Sequence, residues 1–516
     1  MMTDVPQTGE KADALKDEAN DRAATAVEKS VPSEMSAEDF RRYGHELIDW
    51  ISQYLSTLDQ RPVLPPIKPG ELKEQLPPTA PEEGEPMARI IADVDRLIAP
   101  NLTHWSHPAF FAYFAISTSA PGIFGELLSA AFNTNGMLWR TAPAAVELEE
   151  VVLSWLREML GLPPHFEGII YDTASVSTLH ALAAARESLG LRVREDGLAG
   201  RPDLPPLCVY ASEQAHSSVE KSVIALGLGQ RAFRRIPTDE RFRMKVGALE
   251  RAIREDRNAG RLPCAVVATL GTTSTTSLDP VAEIAELCHA NSIWLHVDAA
   301  YAGVAAMLPE KRDLFCGWEK ADSITTNPHK WLATPLDLSA FYCRRMDLLR
   351  QAFSLIPDYL KTDEPVRNPM DYGIQLGRRF RALKLWMVMR YFGRRGLQAM
   401  IREHCHLAQT FADWIDDSPD WERAAPVPFS VVCFRARPPQ LAALDAREID
   451  ELNALIADRV NATGRAFLSH TRLNGRLTLR LAIGNIRTTR THLERTWELL
   501  QGALRATVAE MQVKRA

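Results

Sequence analysis

Ile293-Trp294-Leu295-His296-Val297-Asp298-Ala299-Ala300-Tyr301 and, about thirty residues on, Ser323-Ile324-Thr325-Thr326-Asn327-Pro328-His329-Lys330-Trp331 decide how this chain folds. Each stretch opens with a short apolar or β-branched run that reads as a buried strand, and each leads into an ionisable residue. Consecutive strands of a parallel sheet bring Asp298 and Lys330 to one edge, beyond the carboxyl ends, which is where such sheets bind ligands.

The same texture extends outward. Gly168–Tyr171, Leu207–Tyr210, Ala265–Leu270 and Ser339–Tyr342 are further strand candidates, besides Ile293–Val297 and Ser323–Thr326 themselves. Helical stretches such as Ser177–Leu189, Ser217–Leu228 and Pro280–Ala290 lie between them. Alternation of this kind predicts an α/β fold, a largely parallel sheet covered by helices. Beyond Leu397, a helix (Leu397–Asp416) and the strands Phe429–Phe434 and Arg476–Ala482 predict a smaller α+β domain. Upstream, Ser36 is an expected helix N-cap with Asp39 three residues on. Phe40, Tyr43, Leu47, Ile51, Tyr54 and Leu55 then recur as one apolar stripe. Arg61–Pro86 is punctuated by Pro62, Pro65, Pro66, Pro69, Pro77, Pro78 and Pro81, so no regular helix is expected there. The expected layout is a mobile tail (1–34), a helical N-terminal arm (35–120), a large α/β domain (121–396) and a small C-terminal α+β domain (397–516).

Composition sets outer limits. In 516 residues, Lys+Arg is 60 and Asp+Glu 66, a net charge of −6, with 46% apolar and 24% charged residues. These are the fractions of an ordinary globular protein. The acidic balance gives no electrostatic reason to expect nucleic acid or an anionic membrane as a partner. The most apolar region, Phe110 to Trp139, is interrupted by Pro121, Gly122, Glu126 and Asn133 and is not expected to span a membrane. Seven widely spaced cysteines without a CxxC pair read as buried thiols in a reducing compartment, and the first twenty residues lack the apolar stretch of a secretory signal. The expected location is the cytoplasm. His104 with His107, and His404 with His406, lack convergent carboxylates or thiolates, so no metal site is expected.

Four strand ends carry unusual chemistry: Asp172-Thr173-Ala174-Ser175 opening a helix, Gln214-Ala215-His216-Ser217-Ser218, Asp298 and Asn327-Pro328-His329-Lys330. A phosphate site at a helix N-terminus, an imidazole, a carboxylate and an amine would face one crevice. At these residues the chain resembles the group II pyridoxal-phosphate (PLP)-dependent amino-acid decarboxylases, most closely the aromatic-L-amino-acid decarboxylases. The resemblance rests on Thr103–Phe114 (THWSHPAFFAYF), Gln214–Ser222 (QAHSSVEKS), Val267–Ser277 (VATLGTTSTTS), Ile293–Gly303 (IWLHVDAAYAG), Ala321–Trp331 (ADSITTNPHKW) and Leu376–Trp386 (LGRRFRALKLW). It implies the type I PLP-dependent transferase (aspartate aminotransferase-like) fold, with a seven-stranded, mostly parallel sheet. It also implies a homodimer whose N-terminal arm packs on the partner.

By the same resemblance, Lys330 holds pyridoxal 5'-phosphate as an imine, and Asp298 pairs with its pyridine nitrogen. A carboxylate about 4 Å from that nitrogen, at an effective dielectric near 20, is worth roughly 4 kcal/mol before desolvation, enough to keep the ring protonated at neutral pH. His216 is implied to stack on the ring. Thr173, Ala174, Ser175, Asn327 and His329 are implied to anchor the phosphate, with Thr273 and Ala300 lining the cofactor. Tyr359, in Ile356-Pro357-Asp358-Tyr359-Leu360, matches the loop tyrosine that reprotonates the α-carbon, and the weakly apolar segment Lys361–Tyr372 suits a loop that opens and closes. Lys330, Tyr359, His216 and Asp298 are thus the expected catalytic residues.

Trp105, Tyr113 and Phe114 match an aromatic substrate wall, and Gly377 leaves room for a bulky ring. The implied reaction is decarboxylation of an L-amino acid of the tryptophan, tyrosine, phenylalanine or DOPA type to its amine and CO2. The alternatives are a decarboxylase of a non-aromatic amino acid, an aromatic aldehyde synthase on the same scaffold, which phenylalanine in place of Tyr359 would have favoured, and a catalytically idle PLP-binding protein. Asp172 and Val176 depart from the family's Gly and Glu beside the phosphate helix.

Overall fold

The structure, a computed structural model, describes residues 34–355 and 366–515. The expected N-terminal tail, Tyr359 and the first part of the segment Lys361–Tyr372 lie outside the described residues. The described chain divides into two compact units, one of residues 34–57 and 67–101, the other of residues 58–66 and 102 onward.

In the first unit, α1 (Ala37–Ser56) starts where the Ser36 hydroxyl accepts the Asp39 amide at 3.0 Å. None of its residues is buried, and Phe40 is 70% exposed. Trp50 stacks on Tyr54 and donates to Asp95 Oδ1. The proline-rich stretch holds only the single short helix Glu71–Gln75 before Pro86.

The second unit is built on a seven-stranded sheet of β1 (Glu167–Tyr171), β2 (Leu207–Ser212), β3 (Phe233–Ile236), β4 (Leu262–Thr269), β5 (Trp294–Asp298), β6 (Ser323–Thr326) and β7 (Ser339–Cys343), in the order β1-β7-β6-β5-β4-β2-β3. Its neighbours pair in parallel except for β7, which runs antiparallel to both β1 and β6. The helices include α2 (Ala120–Phe132), α3 (Pro143–Leu160), α4 (Ala174–Glu187), α5 (Ser218–Ala225), α6 (Val246–Asn258), α7 (Val281–Ala290), α8 (Ala382–Asp416), α9 (Ala446–Ala462) and α10 (Arg490–Arg515). All five residues of β5 are buried, as expected of a parallel strand covered on both faces. A second, antiparallel sheet of β8 (Trp421–Arg423), β9 (Val431–Ala436), β10 (Ser469–Leu473) and β11 (Arg476–Ala482), ordered β10-β11-β9-β8, packs with α9. Among the described residues no helix is long and apolar enough to cross a membrane.

Six of the seven large-sheet strands stand where the sequence places them, within a few residues. The seventh, β3, is hidden by Arg234 and Arg235. It is an edge strand, and its arginines pair with Asp256 at 2.5 Å and Glu220 at 2.6 Å, the charged dressing that keeps an edge from further pairing. β4 begins earlier than expected because Pro263 falls beside a register shift at Cys208/Val209, where a missing amide donor is tolerated. The helix expected over Leu397–Asp416 extends back to Ala382. It is broken at Gly393, whose φ of 62° and ψ of 171° leave the helical region, a conformation open to glycine.

Candidate active site

Because β1, β2, β4, β5 and β6 run in one direction, their carboxyl ends share one edge. β1 leads through Thr173 into α4, whose first intrahelical bonds are those of Val176 and Ser177 to the Thr173 carbonyl. The amides of Ala174 and Ser175 therefore precede the helical ladder, an arrangement suited to an anion. Asp172 departs from the family pattern and forms an ion pair with Arg381 at 2.5 Å while accepting from Gln375 Nε2 at 2.7 Å.

Asp298 closes β5, is 5% exposed, and accepts the Ala300 amide at 3.1 Å through Oδ1. After β6, Asn327 faces His329 Nε2 at 3.3 Å, and His329 Nδ1 accepts the Leu338 amide at 2.8 Å. Burial pushes the His329 imidazole down to about 3, so the ring is neutral at neutral pH. Lys330 keeps part of its surface open to the crevice. Its amine is nonetheless enclosed enough for desolvation to lower its pKa, with Arg480 adding to the effect and Asp298 opposing it. His216 has an exposed ring whose Nδ1 lies 2.8 Å from Ser218 Oγ. Desolvation lowers its pKa too, against the pull of Asp298 and with the push of Lys330. Lys330 and Asp298 each act electrostatically on His216, and Asp298 acts on Lys330. Thr273 and Ser175 are exposed, and Ala300 is buried.

Phe114 forms a wall of the crevice. Lys330 Nζ is 5.5 Å from its ring centroid and the Arg480 guanidinium carbon 4.6 Å. Behind Phe114 runs a stack of Tyr301 at 3.8 Å and then Trp331 at 4.7 Å, nearly parallel, and Trp331 donates to His404 Nδ1 at 2.8 Å. Tyr113, at a φ of 52°, and Trp105 stack with centroids 5.8 Å apart. Gly377 stands beside Asn135, whose Nδ2 is 3.9 Å from the position a Cβ would take.

Arg480 on β11 is a residue the sequence analysis does not single out. It is 3% exposed, and it donates to the carbonyls of Tyr113 and, at 3.1 Å, Ser274. It thereby ties the aromatic wall to the loop after β4, and its Nη2 is buried without a hydrogen-bond partner among the described residues. Its only sequence signal is a charge between Leu479 and Leu481 of that strand.

Residues 69–437 match the pyridoxal-dependent decarboxylase conserved domain. The chain belongs to that family. This decarboxylase is 40% identical over 482 residues to the aromatic-L-amino-acid decarboxylase of Sus scrofa, covering 91% of this chain and 96% of that one. To the phenylacetaldehyde synthase of Arabidopsis thaliana it is 38% identical over 479 residues, covering 90% and 96%. The crystal structure of Oryza sativa TDC with PLP and tryptamine superposes with a TM-score of 0.88 at 37% identity, covering 92% of this chain and 99% of that one. The protein is a PLP-dependent carboxy-lyase of the type I fold, and pyridoxal 5'-phosphate is its cofactor. The strand-end edge fits that group: Ser212 Oγ, Thr269 Oγ1, Thr325 Oγ1, Thr326 Oγ1 and Asn327 Oδ1 are buried there without a hydrogen-bond partner among the described residues, and such atoms call for a polar ligand or water.

Proposed function

We propose that the enzyme converts an aromatic L-amino acid to its amine and CO2. The observation that carries this reading is the ring stack Phe114–Tyr301–Trp331 held beside Lys330, a rigid apolar wall that suits a flat aromatic side chain. The aromatic-L-amino-acid decarboxylase of Sus scrofa and the tryptamine-bound Oryza sativa protein support it.

Bound PLP supplies an electron-accepting ring that takes the electron pair left when the carboxyl group departs as CO2. In our reading Lys330 holds the cofactor covalently, and the lowering of its pKa by desolvation favours the neutral, nucleophilic amine. Asp298 provides the fixed negative charge that keeps a ring nitrogen protonated, and the exposed face of His216 covers the ring. Thr173, Ala174, Ser175, Asn327 and His329 hold the phosphate, and Thr273 and Ala300 complete the lining. Arg480 Nη2 is the free cationic donor for the substrate carboxylate. Trp105, Tyr113 and Phe114 exclude water from the side chain's site, and Tyr359 returns a proton to the α-carbon.

We further assign the chain to a cytoplasmic homodimer, with the tail, arm and two domains as laid out in the sequence analysis. Seven unpaired cysteines fit a reducing compartment. The apolar stripe Phe124, Leu127, Leu128 and Phe132 on α2 is 40–60% exposed, an area that an isologous contact would cover. Gly377 leaves room for the bulky ring of the substrate.

The deciding experiment is a panel of L-amino acids with amine, CO2, aldehyde and ammonia measured together. Amine and CO2 in equal amounts from aromatic substrates is the expected result. Aldehyde with ammonia, as the Arabidopsis relative's name suggests for that protein, would replace this reading with a synthase, and turnover of glutamate but no aromatic acid would overturn the substrate class.

A further inference from the structure

The segment that carries Trp105, Tyr113 and Phe114 also carries His107, which faces a different cavity. This cavity, of about 340 Å³, shares no lining residue with the Lys330 crevice. Arg61, Arg465 and Arg495 line it together with one acidic residue, Asp59. Both oxygens of that carboxylate are engaged: Oδ1 lies 3.2 Å from His492 Nε2, and Oδ2 accepts Arg495 Nη1 at 3.1 Å. His492 Nδ1 accepts the Thr489 amide at 3.0 Å, which leaves its Nε2 as the donor to Asp59.

His107 is 2% exposed and lines this cavity. Its Nδ1 accepts the Ala109 amide at 2.9 Å, so in the neutral ring the proton sits on Nε2. Nε2 makes no hydrogen bond of good geometry, although the Arg61 carbonyl is near enough to favour the protonated ring. Burial holds the imidazole at about 4, with His492 and His104 adding to the effect and Asp59 opposing it. A buried N–H donor without a partner is a cost that native proteins seldom leave uncompensated. His107 lines a space whose other ionisable residues are three arginines, one aspartate and His492.

We propose that this cavity is a second ligand site, built for a small phosphate-bearing anion. A phosphate group has only acceptors to offer a donor-rich lining. Its charge matches the surplus of guanidinium, which favours planar, two-pronged contacts with phosphate oxygens. The volume lies in the range of small-ligand pockets, with room for a modest substituent on the phosphate. The ligand is thus inorganic phosphate or a small phosphate monoester. The backbone links its site to the substrate wall: the His107 carbonyl accepts Asn485 Nδ2 at 3.0 Å and the Phe111 amide donates to Phe467 at 2.9 Å.

The test is calorimetric titration of the PLP-loaded, full-length enzyme with inorganic phosphate and, separately, glycerol 3-phosphate, at constant ionic strength set with chloride. Loading with PLP fills the cofactor's own phosphate site, which removes it from the measurement. Saturable binding of one anion per chain is expected. Tighter binding of the monoester identifies that class, and equal binding identifies free phosphate. Arg495→Gln and Arg465→Gln should each weaken binding roughly tenfold or more. Arg465 is exposed, so its variant keeps the test decisive should the Arg495 change disturb folding. The proposal is overturned if neither anion binds saturably at millimolar concentration. It is equally overturned if Arg465→Gln and a folded Arg495→Gln protein bind as tightly as the parent, which would mean an adventitious ion only.

Discussion

Lys330 is useful only when its amine is neutral, and the crevice is arranged to that end by burial and by the guanidinium of Arg480, with Asp298 pulling the other way. On the proposed assignment, Asp298 acts through the cofactor nitrogen. We expect Asp298→Asn to keep the fold, because asparagine can still accept the Ala300 amide through its side-chain oxygen, yet to lower kcat about a hundredfold or more. Steady-state kinetics with the cofactor absorbance recorded in parallel check this, and near-normal kcat would contradict it. Tyr359→Phe should shift the products from amine towards aldehyde and ammonia, read by chromatography of a single reaction mixture; unchanged amine yield would remove Tyr359 from the proton step. The position of Asp298, Lys330 and Thr173–Ser175 at or just after strand ends was legible because a strand end is a local feature, visible as an apolar run that stops at a polar or charged residue. Arg480 was not. It reaches the crevice from β11, some 150 residues after Lys330, and only the packing of two sheets brings it there.

At the scale of elements, the α2–α8 crossing shows how one small residue sets a distance. A Cβ on Gly125 would lie 2.4 Å from Lys384 Cα and 3.0 Å from its backbone nitrogen, so the helices can touch only where that atom is missing. Lys384 is 1% exposed at this crossing and is neutralised by Glu126, which also accepts Arg379 Nη2 at 2.7 Å. Gly125→Ala gains about 1 kcal/mol of helix propensity. Against that stands overpacking of about 1–3 kcal/mol, in a contact made by backbone that cannot swing aside. Net destabilisation is expected, seen as a lower thermal midpoint of the PLP-loaded enzyme; a raised midpoint would show that the crossing has slack. The strands were legible to the extent that they are buried on both faces. β3 was missed because it is an edge, and the first part of α8 because the break at Gly393 separates it from the regular pattern downstream.

For the molecule as a whole, buried imidazoles govern the response to acid. Burial lowers His107, His180, His296 and His404 to about 4 and His329 to about 3. As pH falls through 6.5 the unfolded chain takes up protons that the folded chain refuses until about pH 4. Stability therefore falls across that window by on the order of 1 kcal/mol per pH unit for each ring. Asp279, raised to about 6 by burial, acts in the opposite sense between about pH 4 and 6, and Asp322 and Glu150, also raised by burial, act in the same sense as Asp279. Three carboxyls do not offset five rings. The urea midpoint should hold level between about pH 7 and 8 and drop steeply from 6.5 to 5; a level profile down to pH 5 would show that the rings are solvated. Multi-angle light scattering should give twice the chain mass for the active species, and an active monomer would refute the role assigned to the α2 stripe. Architecture at this scale was legible in outline, as a parallel sheet followed by a small α+β domain. The division of the N-terminal region was less so, since residues 58–66 cluster with the second unit while the flanking residues do not, and proline content alone gives no hint of where a chain will settle.

The place of β7 in the sheet bears on how the protein is made. β1 touches the rest of the sheet only through β7, which is the last of the seven strands to be synthesised. A nascent chain that has emerged as far as β6 therefore leaves β1 unpaired and the β7-facing edge of β6 bare, with no strand to join them. Until Ser339–Cys343 leaves the ribosome, the half-built sheet depends on its covering helices or on chaperones to stay out of aggregates.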